Sequence, residues 1–298
     1  MKPLDRKWTW LLGGLLLLGL ILLPFMVKNY RVFQFTLVMV YAIAILGLNI
    51  LTGFNGQISL GHGAFFAFGA YTAAVLMDRF GAPYWSTLPA AAVLCFCFGF
   101  VLGFPALRLA GHYLALATFG LALAVPQLLN YKGIEGYTGG VQGIVLTKPE
   151  PPFTFRLFDM PLNADRWLYL FSLLVVLVMF LLAWNLLRGR VGRALIAVRD
   201  HPIAATAMGI NLPMFKSMTF GVSAAFTGVA GALSAIAVPS CRQTAIRCNC
   251  LFSCWLGWLW GAWPPYQGLF LVACSSSLCR TSLMKFQNLR LPRYMACC

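Results

Sequence analysis

From Val32 to Met77 the chain runs for 46 residues without a charged side chain. The hydrocarbon core of a bilayer is about 30 Å thick and takes about 20 helical residues to cross, so this run alone is long enough for two crossings. Further charge-free intervals cover Trp8 to Val27, Phe80 to Leu107, Leu109 to Tyr131, Trp167 to Leu187 and Ser217 to Cys241. Charged residues make up 10% of the 298, against roughly a quarter in a soluble domain. Such a chain needs lipid.

Inside the long run, Gly53, Gly56, Gly61 and Gly63 gather around Asn55, Gln57, Ser59 and His62, and that density of helix-weakening residues marks a break. The pattern predicts an all-α, polytopic transmembrane helical bundle of about seven spans. They lie near 8–27, 33–53, 60–77, 87–107, 112–131, 167–187 and 217–238. The organisation is thus a transmembrane domain over 1–238 and an anomalous Cys/Trp-rich tail over 239–298. Lys2, Arg6 and Lys7 precede the first apolar run as in a signal peptide. That run is too long for one, however, and no small-x-small site precedes Lys28, so a retained helix with a cytoplasmic amino terminus is expected.

Lys and Arg near span ends are retained in the cytoplasm. Seven alternating spans then put 188–216 inside, with Arg188, Arg190, Arg193, Arg199 and Lys216 against Asp200 alone. Residues 132–166 fall outside, with their basic and acidic residues balanced. The net charge of +15 does not indicate nucleic-acid binding, because the basic residues sit at span ends and in one loop, where topology and acidic lipid head groups account for them.

Two segments carry functional information. A helix broken within the membrane frees backbone N–H and C=O groups, which persist only where protein or a water-lined cavity satisfies them, and in transporters such breaks line the substrate path. Asn55, Gln57, Ser59 and His62 are the path candidates on that reading. The other reading is a tight cytoplasmic turn followed by close helix packing, which the small residues Gly63, Ala67, Ala70 and Ala74 fit. Glycine serves both. His62 reads as a hydrogen-bonded interior histidine in preference to a proton relay.

The second segment is the loop Arg188 to Pro213. Pro202 suits a first helical position after Asp200 and His201, the run Ile203 to Met208 favours helix, and Gly209 can end it. A short helix beneath the membrane is expected, either resting on the lipid interface or presenting its apolar residues to a protein partner.

LNILTGFNGQISLGHGAFFAFGAYTAAVL, Leu48 to Leu76, resembles the signature of the permease subunits of branched-chain amino acid ABC importers. LRLAGHYLALATFGLA from Leu107, YTGGVQGI from Tyr137 and GRVGRALIAVRDHPIAATAMGINLPMFKSMTFGVSAAFTGVAGAL from Gly189 follow in family order, and the resemblance runs from about 30 to 238. Of the two permease types it looks like the one with the longer outer loop.

The resemblance implies a bacterial inner-membrane importer: a second permease subunit, cytoplasmic ATPase subunits that hold ATP and Mg, and a periplasmic substrate-binding protein. On this chain it implies no cofactor and no enzymatic activity. Arg199, Asp200, Ala204, Ala205, Gly209 and Pro213 then match the family's ATPase coupling loop. Many ABC importers carry Glu before the paired alanines; here Ile203 stands in that place. The implied cargo is branched-chain amino acids, with urea and short amides as alternatives because similar-looking permeases carry them.

No G-x-x-x-x-G-K-[ST] pattern is present, so ATP chemistry falls to another chain. A membrane-embedded enzyme lacks its tools, since neither H-E-x-x-H nor paired carboxylates occur within a span. A secondary transporter is the nearer rival, but ion or proton coupling calls for an intramembrane carboxylate. The tail holds eight of the ten cysteines, four of the nine tryptophans, six basic residues and no acidic one. Its C-x-C and C-x3-C spacings without histidine do not suit a metal. A divergent lipid-facing tail is one alternative; a shifted reading frame soon after Val238 is the favoured explanation.

Overall fold

The structure is a computed structural model that describes residues 18–106, 112–129 and 164–238, together with 131, 133, 144–146, 149 and 240–241. Helix α1 covers 18–26 of the described residues, and α2 follows as Asn29–Asn49, prolonged by a turn of π-helix over Ile50–Phe54. Then come α3 (His62–Phe80), α4 (Tyr84–Ala106), α5 (His112–Leu129) and α6 (Ala164–Arg188). Two short helices, α7 (Arg190–Asp200) and α8 (Pro202–Ala207), lead into α9 (Leu212–Ala237). Among the described residues, four helices are long and apolar enough to cross a membrane (α2 with its π-turn, α4, α6 and α9), and α5 is a shorter apolar helix. The chain is an all-α, multi-pass helical membrane protein, and residues 8–17 of the first expected span lie outside the described residues.

The helix ends follow from local chemistry. Gly81 at φ +59° takes the left-handed conformation that closes α3, and Ala82 N–H donates to the Leu76 carbonyl at 3.1 Å. Asp165 in the first turn of α6 and Arg188 in its last complement the helix dipole. The Asn211 side chain accepts from Met214 N–H at 3.5 Å and caps α9, with Pro213 tolerated in that first turn.

Contacts far apart in sequence fix how the chain threads. Trp167 Nε1 donates to Tyr84 Oη at 3.2 Å, which puts the start of α6 beside the start of α4. A two-residue antiparallel ladder, β1 (Ile144–Val145) with β2 (Ser240–Cys241), joins the α5–α6 connection to the residues after α9. Arg199 reaches the carboxyl end of α2. Each pairing unites segments that strict alternation of seven spans places on one side of the membrane.

Helix α9 is the axis of the bundle. Of its most apolar window 83% is buried, against 22% for α6, whose Leu174, Leu181 and Leu182 are exposed and suit lipid. Small residues let its neighbours approach to backbone contact. A Cβ on Gly69 of α3 would overlap the backbone of Gly228, and one on Gly231 would overlap the Phe66 carbonyl. From α4, Gly103 fits against Ser217, where an added Cβ would lie 2.7 Å from Oγ. From α2, Gly47 fits against Phe226 and the Ser223 carbonyl, each 2.9 Å from such an atom. Ala67, Ala70 and Ala74 are buried, and Ala70 lies beside Gly231, so these three alanines of α3 pack as the second of the two readings has it.

The loop 188–216 is more ordered than expected: Arg190–Asp200 is helical, and α8 follows it after one residue, His201. Gly192 allows α7 to fold back on α6, because a Cβ there would meet the Leu187 carbonyl. The tail beyond 241 lies outside the described residues.

Candidate functional site

The break begins with a change of helical winding. Over Ile50–Phe54 the helix is π, a form that often marks functional positions. Thr52 Oγ1 donates back to the Leu48 carbonyl at 2.9 Å, and Gly53 leaves room for Asn49 Oδ1, which occupies the place of a Cβ. Gly56 at φ +71° turns the chain, and Gln57 N–H closes a wide turn on the Leu51 carbonyl at 3.2 Å.

Residues 57–59 run without helical structure to a turn at 60–61. Leu60 N–H donates to Thr118 Oγ1 of α5 at 3.1 Å, and a Cβ on Gly61 would lie 2.9 Å from the Thr118 carbonyl. Gly61 N–H donates to Ser59 Oγ at 3.3 Å, and α3 starts at His62, with Gly63 in its first turn.

The polar side chains of the break point inward. Asn55, Ser59 and His62 are all buried, His62 to 1% exposure. His62 Nε2 lies 2.6 Å from Ser223 Oγ, and Ser223 gives its hydroxyl hydrogen to the Gly47 carbonyl at 2.6 Å. A hydroxyl has one hydrogen to give, so Nε2 must carry the imidazole hydrogen and Nδ1 is the bare acceptor. Among the described residues Nδ1 finds no partner, and neither do Asn55 Nδ2 and Oδ1 or Gln57 Oε1. A buried polar atom without a partner costs about 1–3 kcal/mol. Three acceptors and one donor, held at that cost, can each take water or a polar group of a guest.

The second site is built by α7 and α8. Pro202 occupies the first turn of α8, and Gly209 at φ +82° ends it in a Schellman motif, with Ile210 N–H on the Ala205 carbonyl at 3.1 Å and Gly209 N–H on Thr206 at 3.0 Å. Ala205 is buried at 3% exposure, whereas Ala204 is exposed and Ile203 and Met208 stand out at 85% and 84%. Arg199 Nε donates to Asp200 Oδ1 at 2.9 Å.

The two segments meet. Arg199 Nη1 donates to the Gly53 carbonyl at 2.7 Å, capping the end of α2 with a cation. A Cβ on Gly56 would lie 2.8 Å from Arg199 Cγ. Ser223 and Thr118 also contact the break, and nothing in the sequence around them singled them out: Ser223 is one of five hydroxyl residues in α9 and Thr118 stands in an apolar stretch of α5.

The family model described as branched-chain amino acid transport system / permease component matches residues 30–277. The high-affinity branched-chain amino acid transport system permease protein LivM of Escherichia coli (strain K12) is 38% identical over 232 residues, covering 71% of this chain and 54% of the relative. The protein of the same name from Salmonella typhimurium (strain LT2) is 37% identical with the same coverage. The chain spans about half the length of these curated relatives. No solved structure matches it. With a family model covering most of its length, and relatives above a third identical across two thirds of it, the chain belongs to the family of branched-chain amino acid transport permeases.

Proposed function

We infer that this chain is the membrane permease subunit of an ATP-driven importer and forms part of the translocation path for branched-chain amino acids. It sits in a bacterial inner membrane with a cytoplasmic amino terminus. It works beside a second permease subunit, cytoplasmic ATPase subunits that bind ATP and Mg, and a periplasmic substrate-binding protein. Family membership supports this reading, as do the relatives named for branched-chain amino acid transport.

The observation that carries it is the exposure of Ile203 and Met208 at the two ends of α8, beside the exposed Ala204. Apolar tips on a short helix closed by its own Schellman motif suit a groove on a protein partner. Arg199, Asp200, Ala204, Ala205, Gly209 and Pro213 form that docking unit. The unpartnered polar atoms of Asn55, Gln57 and His62, with Ser59 beside them, support a place on the path for the break. Among the described residues the buried polar side chains are Thr, Asn, Ser and His, a poor set for ion-coupled secondary transport.

The test is uptake by cells lacking their own branched-chain amino acid importers and given this chain with its cognate ATPase, second permease and binding protein. Labelled leucine, isoleucine and valine should accumulate only with the ATPase present, and more than urea or acetamide. Accumulation independent of the ATPase would refute the reading.

A further inference from the structure

We propose that Arg199 is a positioning residue that ties the docking helices to the π-turn of α2, so that movement of α7 and α8 rewinds the helix break. The inference rests on the importer reading for its direction of action, but the contact itself belongs to this chain.

Helix α7 ends on Arg199 and Asp200, and α8 begins two residues later. The Arg199 side chain spans the gap to α2 and makes a charge-assisted hydrogen bond to the Gly53 carbonyl. Its stem packs over Gly56, where no other residue would both accept φ +71° and leave room for Cγ. Asp200 holds the guanidinium from the other side at 2.9 Å, which fixes its direction. The link therefore has two ends, one on the docking unit and one on the break.

What it grips can change state. A π-turn carries one residue more than the α-helix it replaces, and its carbonyls lose the regular i+4 donors. The cation compensates at Gly53, within the π-turn. If Arg199 is withdrawn, that carbonyl must find another donor, and tightening to α-winding supplies one. Rewinding by one residue turns Asn55 by about 100°, and the non-helical residues 57–59 take up the change before α3. Asn55, whose amide is buried without a partner, is the first side chain beyond the turn. Motion of α7 thereby becomes rotation of a polar group at the path.

Two arms test this. In the purified full-length chain, hydrogen–deuterium exchange of residues 50–61 reads the latch with no partner present. Arg199→Met should speed exchange there about tenfold, the equivalent of one charge-assisted hydrogen bond, while Arg199→Lys, which keeps a donor, recovers part of the protection. Gly56→Val should mimic Arg199→Met by displacing the stem. In the assembled importer, uptake per ATP hydrolysed should fall about tenfold in Arg199→Met, whatever the amount of ATPase that co-purifies. Unchanged exchange in Arg199→Met would overturn the latch. Faster exchange with wild-type uptake per ATP, or loss of uptake matched by loss of ATPase association, would overturn its coupling role. A wild-type chain that fails to bind any ATPase defeats the importer reading instead, and the exchange arm still decides the latch.

Discussion

His62 and Ser223, 161 positions apart, share a 2.6 Å hydrogen bond that relays onward to the Gly47 carbonyl, so three helices are joined through one hydroxyl. Ser223→Ala leaves the buried imidazole N–H without its partner and takes one donor from the Gly47 carbonyl, which keeps the Ile50 N–H. The expected loss is about 1–3 kcal/mol of stability, read as a lower thermal midpoint of the chain in detergent. Thr227→Val removes only a bond within α9, from Oγ1 to the Ser223 carbonyl, and should cost less than about 1 kcal/mol. Equal losses would mean that the relay adds nothing to ordinary packing.

Gly209 separates backbone strain from docking. Its φ is +82° and a Cβ there would meet nothing within 4 Å, so Gly209→Ala should cost about 1 kcal/mol through conformation alone. Gly209→Trp adds bulk at the rim of the docking surface. Membrane insertion should survive in both, while ATPase co-purification and uptake should fall well below the alanine variant only with Trp. Wild-type values for Trp would remove residues 199–213 from any coupling role.

The glycine contacts of α9 predict a steep contrast. Gly81→Ala faces open space at φ +59° and should cost about 1 kcal/mol. Gly69→Ala would place a methyl group inside the backbone of Gly228, forcing two helices apart at a cost of about 3 kcal/mol. Thermal unfolding and the monodisperse yield after size exclusion should rank them in that order.

Sidedness is open to a direct reading. A reporter fused after Leu187 should be cytoplasmic, given the basic cluster that follows, and one fused near Glu150 periplasmic. Because Arg199 touches Gly53, a reporter inserted at Gly56 should share the compartment of the first. The reverse pattern would invert the molecule.

Period and charge made the spans legible, since charge-free intervals of bilayer length leave few other solutions. The break at 53–63 and the end of α8 at Gly209 were also readable, because glycine clusters and a Pro-to-Gly frame act locally. Helix α7 was not, since Arg190, Arg193 and Arg199 interrupt its apolar residues and Gly192 lowers its propensity. The π-winding left no local trace either. Arg199 on Gly53 and His62 on Ser223 are products of tertiary packing, and a single sequence without its partners carries no sign of which distant hydroxyl or carbonyl will arrive.

The glycines that let α9 approach its neighbours also restrict how it can move. Ala230 and Ala232 flank Gly231, and both carry the Cβ that Phe66 has no room for. A screw motion of one residue, about 1.5 Å along the axis with about 100° of turn, would drive such a methyl group into the α3 backbone. The helices are keyed like a shaft in a slotted hub, and α9 must carry α3 and α4 with it. Helix α6 has no such key, meeting α2 through side chains such as Ser172 on Met39 at 3.5 Å. Four residues, Met208 to Asn211, separate α8 from this shaft. Under the proposed docking, displacement of α8 would move this core as a unit against α6, because shear within it is blocked where side chains are missing.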